Sequence, residues 1–135
     1  MIALKRVYDP ASPGDGVRFL VERLWPRGLA KEKLRVDAWL KEVAPTTELR
    51  KWFSHDPDKW SRFRARYFRE LDAASEAWRP ILSAARRGTV TLVYSSHDER
   101  HNNAVALREY LRKKRRGSAA KAASIAGDRT RRSSG

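Results

Sequence analysis

The 135-residue chain contains no cysteine. Disulfides, thiol nucleophiles, Fe–S clusters and Cys-ligated zinc are thereby excluded, and any chemistry falls to oxygen and nitrogen groups. Long apolar runs are also missing: none reaches the length needed to cross a bilayer. The opening MIALKRVYDP holds only a short apolar run broken by charge, unlike a signal-peptide core. A cytoplasmic protein with no membrane partner is the expectation. Neither G-x-G-x-x-G nor a P-loop occurs, GDG at 14–16 being only a turn, so nucleotide binding of those two kinds is unsupported. There is no internal repeat.

What is present is a composition of 41% hydrophobic residues, sufficient for one core, and a net charge of +14. The charge is unevenly placed. Residues 1–112 hold 22 basic and 15 acidic residues, whereas residues 113–135, KKRRGSAAKAASIAGDRTRRSSG, hold 8 and 1. Half of the net charge therefore sits on the last 23 residues. That stretch has almost nothing apolar to bury, which predicts an α/β domain over 1–112 followed by a disordered basic tail. A phosphate grip on nucleic acid is one reading of the tail. A solvated extension is the other, favoured by the lack of an aromatic residue to stack on bases.

Along the chain, Ile2 to Tyr8 alternates loosely and ends at Asp9-Pro10, a strand and turn. VRFLVERLW, from Val17 to Trp25, alternates more cleanly and predicts a half-buried strand with Arg23 anomalously on its apolar side. Trp39, Leu40 and Val43 have helical spacing, and Thr47 is placed to cap a short helix carrying Leu49, Trp52 and Phe53. Asp56-Pro57 resembles an N-cap followed by proline at the first helical position. Trp60, Phe63, Tyr67 and Leu71 then mark an amphipathic helix with Arg62, Arg66 and Arg69 on its wet side. Ser75 begins another helix, ended by Gly88. TVTLVY, 89–94, is nearly continuous in β-formers, as in a strand covered on both faces of a parallel sheet. A helix through Ala104, Leu107 and Leu111 follows and ends near Lys114. Strands alternating with helices predict a small, mostly parallel α/β domain, in which ligands bind outside the carboxyl ends of the strands.

SSHDERHNN, 95–103, falls at such an end. Ser96 and His97 are adjacent, so their side chains diverge, and no G-x-S-x-G elbow supports a serine nucleophile. His97 and His101 are four apart, a spacing too weak alone to imply a metal, and none is expected. Asp98 is a natural N-cap. Asn102 and Asn103 are poor helix formers and good bidentate readers of amides, bases or sugars. In RLWPRG, Arg23 and Arg27 offer planar forks for a phosphate or carboxylate, with internal pairing of Arg23 as the alternative. His55 offers a general acid or base, Asp56 a cap, and Tyr8-Asp9 a carboxylate on the same sheet edge. The tryptophans on helical stripes, Trp39, Trp60 and Trp78, are assigned to the core.

VYDP (7–10), RFLVERLWPRG (18–28), the stretch 39–71 and VTLVYSSHDERHNNAVALREYL (90–111) together resemble the YeaO-like family of uncharacterised bacterial proteins, domain of unknown function 488. RLWPRG, WF-x-HD and HNNA occur in order, and the likeness covers nearly all of 4–112. The resemblance implies a bacterial cytosolic α/β domain with no established activity. Family members often carry a small residue and then Arg or Lys where this chain has Ser96-His97, which argues against catalysis by His97.

The expectation is a strand-end cleft binding an anionic, nucleotide-like or phosphorylated ligand. Arg23 and Arg27 hold the anion, Asn102 or Asn103 reads polar edges, Tyr8, Asp9 and His101 complete the cleft, and Asp98 or His55 moves a proton. Hydrolysis or transfer on a nucleoside or nucleic-acid substrate is the reaction class for an enzyme; no cofactor is specified. The rival is a non-enzymatic nucleic-acid-binding or regulatory module using the arginine-rich helix at 62–69 and the tail, and a protein-partner domain is a third.

Overall fold

Every strand among the described residues runs parallel to its neighbours. A computed structural model describes residues 1–117, in which β1 (Ile2–Arg6), β2 (Val17–Leu20), β3 (Ala38–Trp39) and β4 (Val90–Tyr94) form one sheet in the order β1-β4-β2-β3. Central β4 pairs Leu92 with both Leu4 and Phe19, and all five of its residues are buried. The uninterrupted β-formers thus signal a strand with two covered faces.

One face of the sheet, carrying Ile2, Phe19, Val90, Leu92 and Tyr94, packs against the helices. These are α2 (Thr47–Phe53), α3 (Trp60–Ala73), α4 (Ser75–Arg87) and α5 (residues 103–117). Phe63, Tyr67 and Leu71 of α3 are buried as their spacing demands, while Arg62, Arg66 and Arg69 stay exposed. Asp56 caps a 3-10 turn at Pro57–Lys59 by accepting from the Asp58 amide, and α3 continues from that turn. The cap of α2 is Thr46, one residue earlier than expected, and α4 starts from Ala74 without a side-chain cap. α5 reaches residue 117, so 113–117 extend the helix rather than begin a tail; the predicted tail otherwise lies outside the described residues.

The opposite face, carrying Leu20 and Val93, is covered by the excursion through Trp25, Leu29, Val36 and Trp39 and by the single turn α1 (Lys31–Leu34). Here two expectations fail. β2 stops at Leu20, so Arg23 is not a strand residue; Arg18 is the buried arginine, only 4% exposed. Its guanidinium donates to the Leu34 and Arg35 carbonyls at 2.8 and 3.0 Å and to Asp15 at 2.6 Å, tying the end of α1 to the sheet. Residues 36–40 are not helical. The Asp37 and Leu40 amides donate to Arg18 and Leu20 carbonyls, because the open edge of β2 supplies backbone partners that a helix would leave unused. A 3-10 turn at Lys41–Val43 follows.

No helix among the described residues is long and apolar enough to cross a membrane.

Candidate functional site

Two central strands, β2 and β4, release their chains side by side at the carboxyl edge of the sheet, and a cleft of about 100 Å³ opens there. β2 leads into Glu22 and Arg23, β4 into Ser95 and Ser96, and α2 contributes Arg50 and Phe53. Phe53 stacks on Phe63 at 4.3 Å between ring centroids, giving the cleft an apolar floor. A second hollow of about 380 Å³ shares His55, Ser95 and Ser96 with the first and adds His97 and Asp98.

Glu22 is the half-buried carboxyl of the cleft. Its Oε1 accepts the Ser95 amide at 3.0 Å. Burial pushes its carboxyl above the ordinary range, and the pull of the Ser95 amide and hydroxyl and of the Arg50 charge does not cancel that push. The Arg50 guanidinium has no hydrogen-bond partner among the described residues and lines the cleft from its exposed rim.

Arg23 also lines the cleft, but its Nε and Nη2 donate to the Pro45 and Ala44 carbonyls at 3.1 and 2.9 Å, and Nη1 lies 3.8 Å from Glu42. It pins the segment that leads into α2 and so positions Arg50 and Phe53. Asn103 donates to the Val21 carbonyl at 2.6 Å, fastening the start of α5 to the end of β2, and lines the cleft. Asn102, 2% exposed, donates to the Asp98 carbonyl and accepts the Val105 amide, so its amide serves the helix start.

Asp98 accepts the Arg100 and His101 amides, each at 2.9 Å, and faces His101 Nδ1 at 3.0 Å. Those two amide bonds lead in holding its carboxyl below the ordinary range. His101 is set edge-on against Trp60 at 5.4 Å and does not line either hollow. His97 Nδ1 lies 3.1 Å from the Arg6 guanidinium, which also holds the Ser96 carbonyl. His55 lines both hollows and, with Ser54, has left-handed backbone at φ 57 and 47. Two consecutive non-glycine residues in that region are uncommon and mark a constrained presentation of the imidazole.

Tyr8 is exposed under Arg6, Asp9 closes a turn on the Arg6 carbonyl, and Arg27 is exposed on the turn before Gly28; none of the three lines the cleft. Sequence reasoning did not single out Glu22 as a site residue, nor Arg50 or Phe53. A carboxylate directly after the apolar run VRFLV was the one available signal for Glu22.

Fold and cleft together define a small all-parallel α/β protein with a charged cleft at its strand ends. The chain belongs to the YeaO-like DUF488 family: residues 1–127 match the model described as the inactive DUF488-N3 subclade. It is 42% identical over 111 residues to the uncharacterised protein YeaO of Escherichia coli K12, covering 82% of this chain and 96% of that protein. It is 38% identical over 111 residues to uncharacterised proteins of Mycobacterium tuberculosis H37Rv and Mycobacterium bovis, covering 82% of this chain and 92% of each. No solved structure matches the chain.

Proposed function

We propose that the strand-end cleft binds a small anionic ligand, phosphorylated or nucleotide-like, and that the chain acts by binding it rather than by turning it over. The observation that carries this reading is the pairing of an uncommitted guanidinium, Arg50, with a half-buried carboxyl of raised pKa, Glu22, across one cleft at the carboxyl ends of a parallel sheet. Arg50 supplies the fork for the anion. Glu22 has one oxygen beyond the Ser95 amide with which to accept a hydroxyl or amine of the ligand. Ser96 and Asn103 add polar edges, and Phe53 supplies an apolar wall. The wider outer hollow beside His55 and His97 takes the rest of a ligand larger than the inner cleft.

Binding without turnover is favoured on two grounds. Asp98, the loop carboxylate nearest the hollow, is held ionised by two amides and is a poor proton donor at neutral pH. The subclade that matches the chain is described as inactive.

The test is thermal unfolding of the full chain against inorganic phosphate, nucleoside monophosphates, sugar phosphates and uncharged nucleosides, repeated with Arg50→Ala. A ligand at a hundred times its Kd adds about 2.7 kcal/mol, a shift of several degrees for a domain of this size. The expected result is a shift from phosphate-bearing compounds that disappears in Arg50→Ala, since the Arg50 side chain makes no hydrogen bond among the described residues to lose. An equal shift from uncharged nucleosides, or one that survives the substitution, overturns the assignment.

A further inference from the structure

The outer face of α2 and α3 carries charge that the cleft does not use. Arg62, Arg66 and Arg69 recur at spacings of four and three on the exposed side of α3, forming one ridge roughly 10 Å long at the helical rise of about 1.5 Å per residue. None of the three forms an ion pair among the described residues. The acidic residues at helical spacing are engaged elsewhere. Glu70, one turn from Arg66, accepts the Thr46 amide and hydroxyl at 3.0 and 2.7 Å. Asp72, one turn from Arg69, accepts the Tyr110 hydroxyl at 2.6 Å. Arg64, on another side of the same helix, is by contrast paired with Glu109.

The ridge borders an aromatic ring. Trp52 of α2 is half-buried, with the Arg66 guanidinium 4.2 Å from its ring centroid and the Lys59 ammonium at 5.2 Å. Trp52, Arg66 and Arg69 line an open groove together with Thr46, Glu48, Leu49 and Glu70. An indole face among unpaired guanidinium groups is the combination that single strands use: phosphates on the cations and a base on the ring. An acidic protein segment satisfies the arginines but leaves the ring unused, and a duplex keeps its bases stacked away from it.

We propose that this face binds single-stranded nucleic acid, with Arg62, Arg66 and Arg69 on successive phosphates and Trp52 as the stacking platform. Arg66 moves from the ring to a phosphate as a base takes its place.

The test is fluorescence anisotropy of the full chain with a labelled mixed-sequence oligonucleotide across a range of KCl concentrations. The variants are Arg62→Ala/Arg66→Ala/Arg69→Ala and, separately, Trp52→Leu, each checked for cooperative unfolding. Both keep the basic C-terminal segment, so differences from the parent chain report the helical face alone. Each lost phosphate contact lowers the slope of log affinity against log salt by about 0.7, so the triple variant loses about 2. Trp52→Leu weakens binding roughly five- to hundredfold with the slope unchanged. A parental slope in the triple variant, no binding by the parent chain, or displacement of the strand by polyglutamate as readily as by unlabelled oligonucleotide each overturns the proposal.

Discussion

Replacing Glu22 by glutamine is expected to stabilise the protein at neutral pH, which ordinary replacement of a hydrogen-bonded side chain does not do. The Glu22→Gln side chain keeps the shape of the original and an oxygen for the Ser95 amide, while the charge disappears. The folded protein holds the Glu22 carboxyl above its ordinary value of 4.5 because burial disfavours the anion more than Ser95 and Arg50 favour it. A group whose folded pKa is raised contributes stability that is full below the unfolded pKa and is lost as pH rises through the folded pKa. Above the unfolded pKa that contribution is progressively lost, and at pH 7 the half-buried charge is a net burden. Removing it falls among the substitutions that trade function for stability, typically about 0.5–2 kcal/mol. At about 3–5 °C per kcal/mol for a chain of this length, Tm rises by a few degrees. Urea unfolding of both proteins at pH 7 and again below the carboxylate range measures the effect and its origin, since at the lower pH Glu22 is neutral and the two curves converge. A loss of about 1 kcal/mol or more in Glu22→Gln at pH 7 refutes the reasoning, because Glu22 is then an internally paired structural anion. A gain of equal size at both pH values refutes it too.

At the other end of the sheet, Asp15 shows the opposite sign. Burial alone raises its carboxyl, but the Ser12 amide, Lys5, the Ser12 hydroxyl and Arg18 together hold it well below the ordinary range. Its stability contribution is therefore present above the unfolded pKa and lost as pH falls through the folded one. Asp15→Asn leaves Arg18 buried without its anion and costs about 3–5 kcal/mol in urea unfolding at pH 7, a deficit that shrinks in acid. Gly16→Ala meets a harder obstacle: φ is +64° with ψ −139°, and an added Cβ falls 2.0 Å from the Thr89 carbonyl oxygen that the Val17 amide bonds. A loss of about 1–3 kcal/mol from strain alone follows, measured as a lower urea midpoint, and a neutral outcome contradicts the close approach of those two backbones.

Local pattern carried the reading wherever the segment's own period decided its structure. The run through β4 and the stripe of Phe63, Tyr67 and Leu71 are local facts, and both elements stand where the pattern puts them. Failure came where a distant partner decided. Residues 36–43 have helical spacing, yet the free edge of β2, some twenty residues earlier, takes the Asp37 and Leu40 amides. Arg18 alternates to the polar side of its strand and is nonetheless buried, because α1 closes over it and offers carbonyls. No window of residues around Arg18 contains that lid.

The same division separates the two halves of the cleft. The loop 95–103 was legible because polar residues crowd between a buried strand and a helix, and a parallel sheet leaves such residues at its carboxyl edge. Its side chains nevertheless mostly build the loop: Asp98, Asn102 and Asn103 spend their bonds on Arg100, His101, Val105 and Val21. The groups left over belong to segments far off in the chain. Glu22 is brought to Ser95 by the pairing of β2 with β4, and Arg50 by the Arg23 clamp on Ala44 and Pro45. Arg23 is thus a positioning residue for the proposed anion site, and the guanidinium that it positions is the one with bonds to give. A polar motif in sequence marks where a site is built, and the groups whose hydrogen bonds remain uncommitted mark what it binds; here these are different residues because scaffolding the loop consumed the first set.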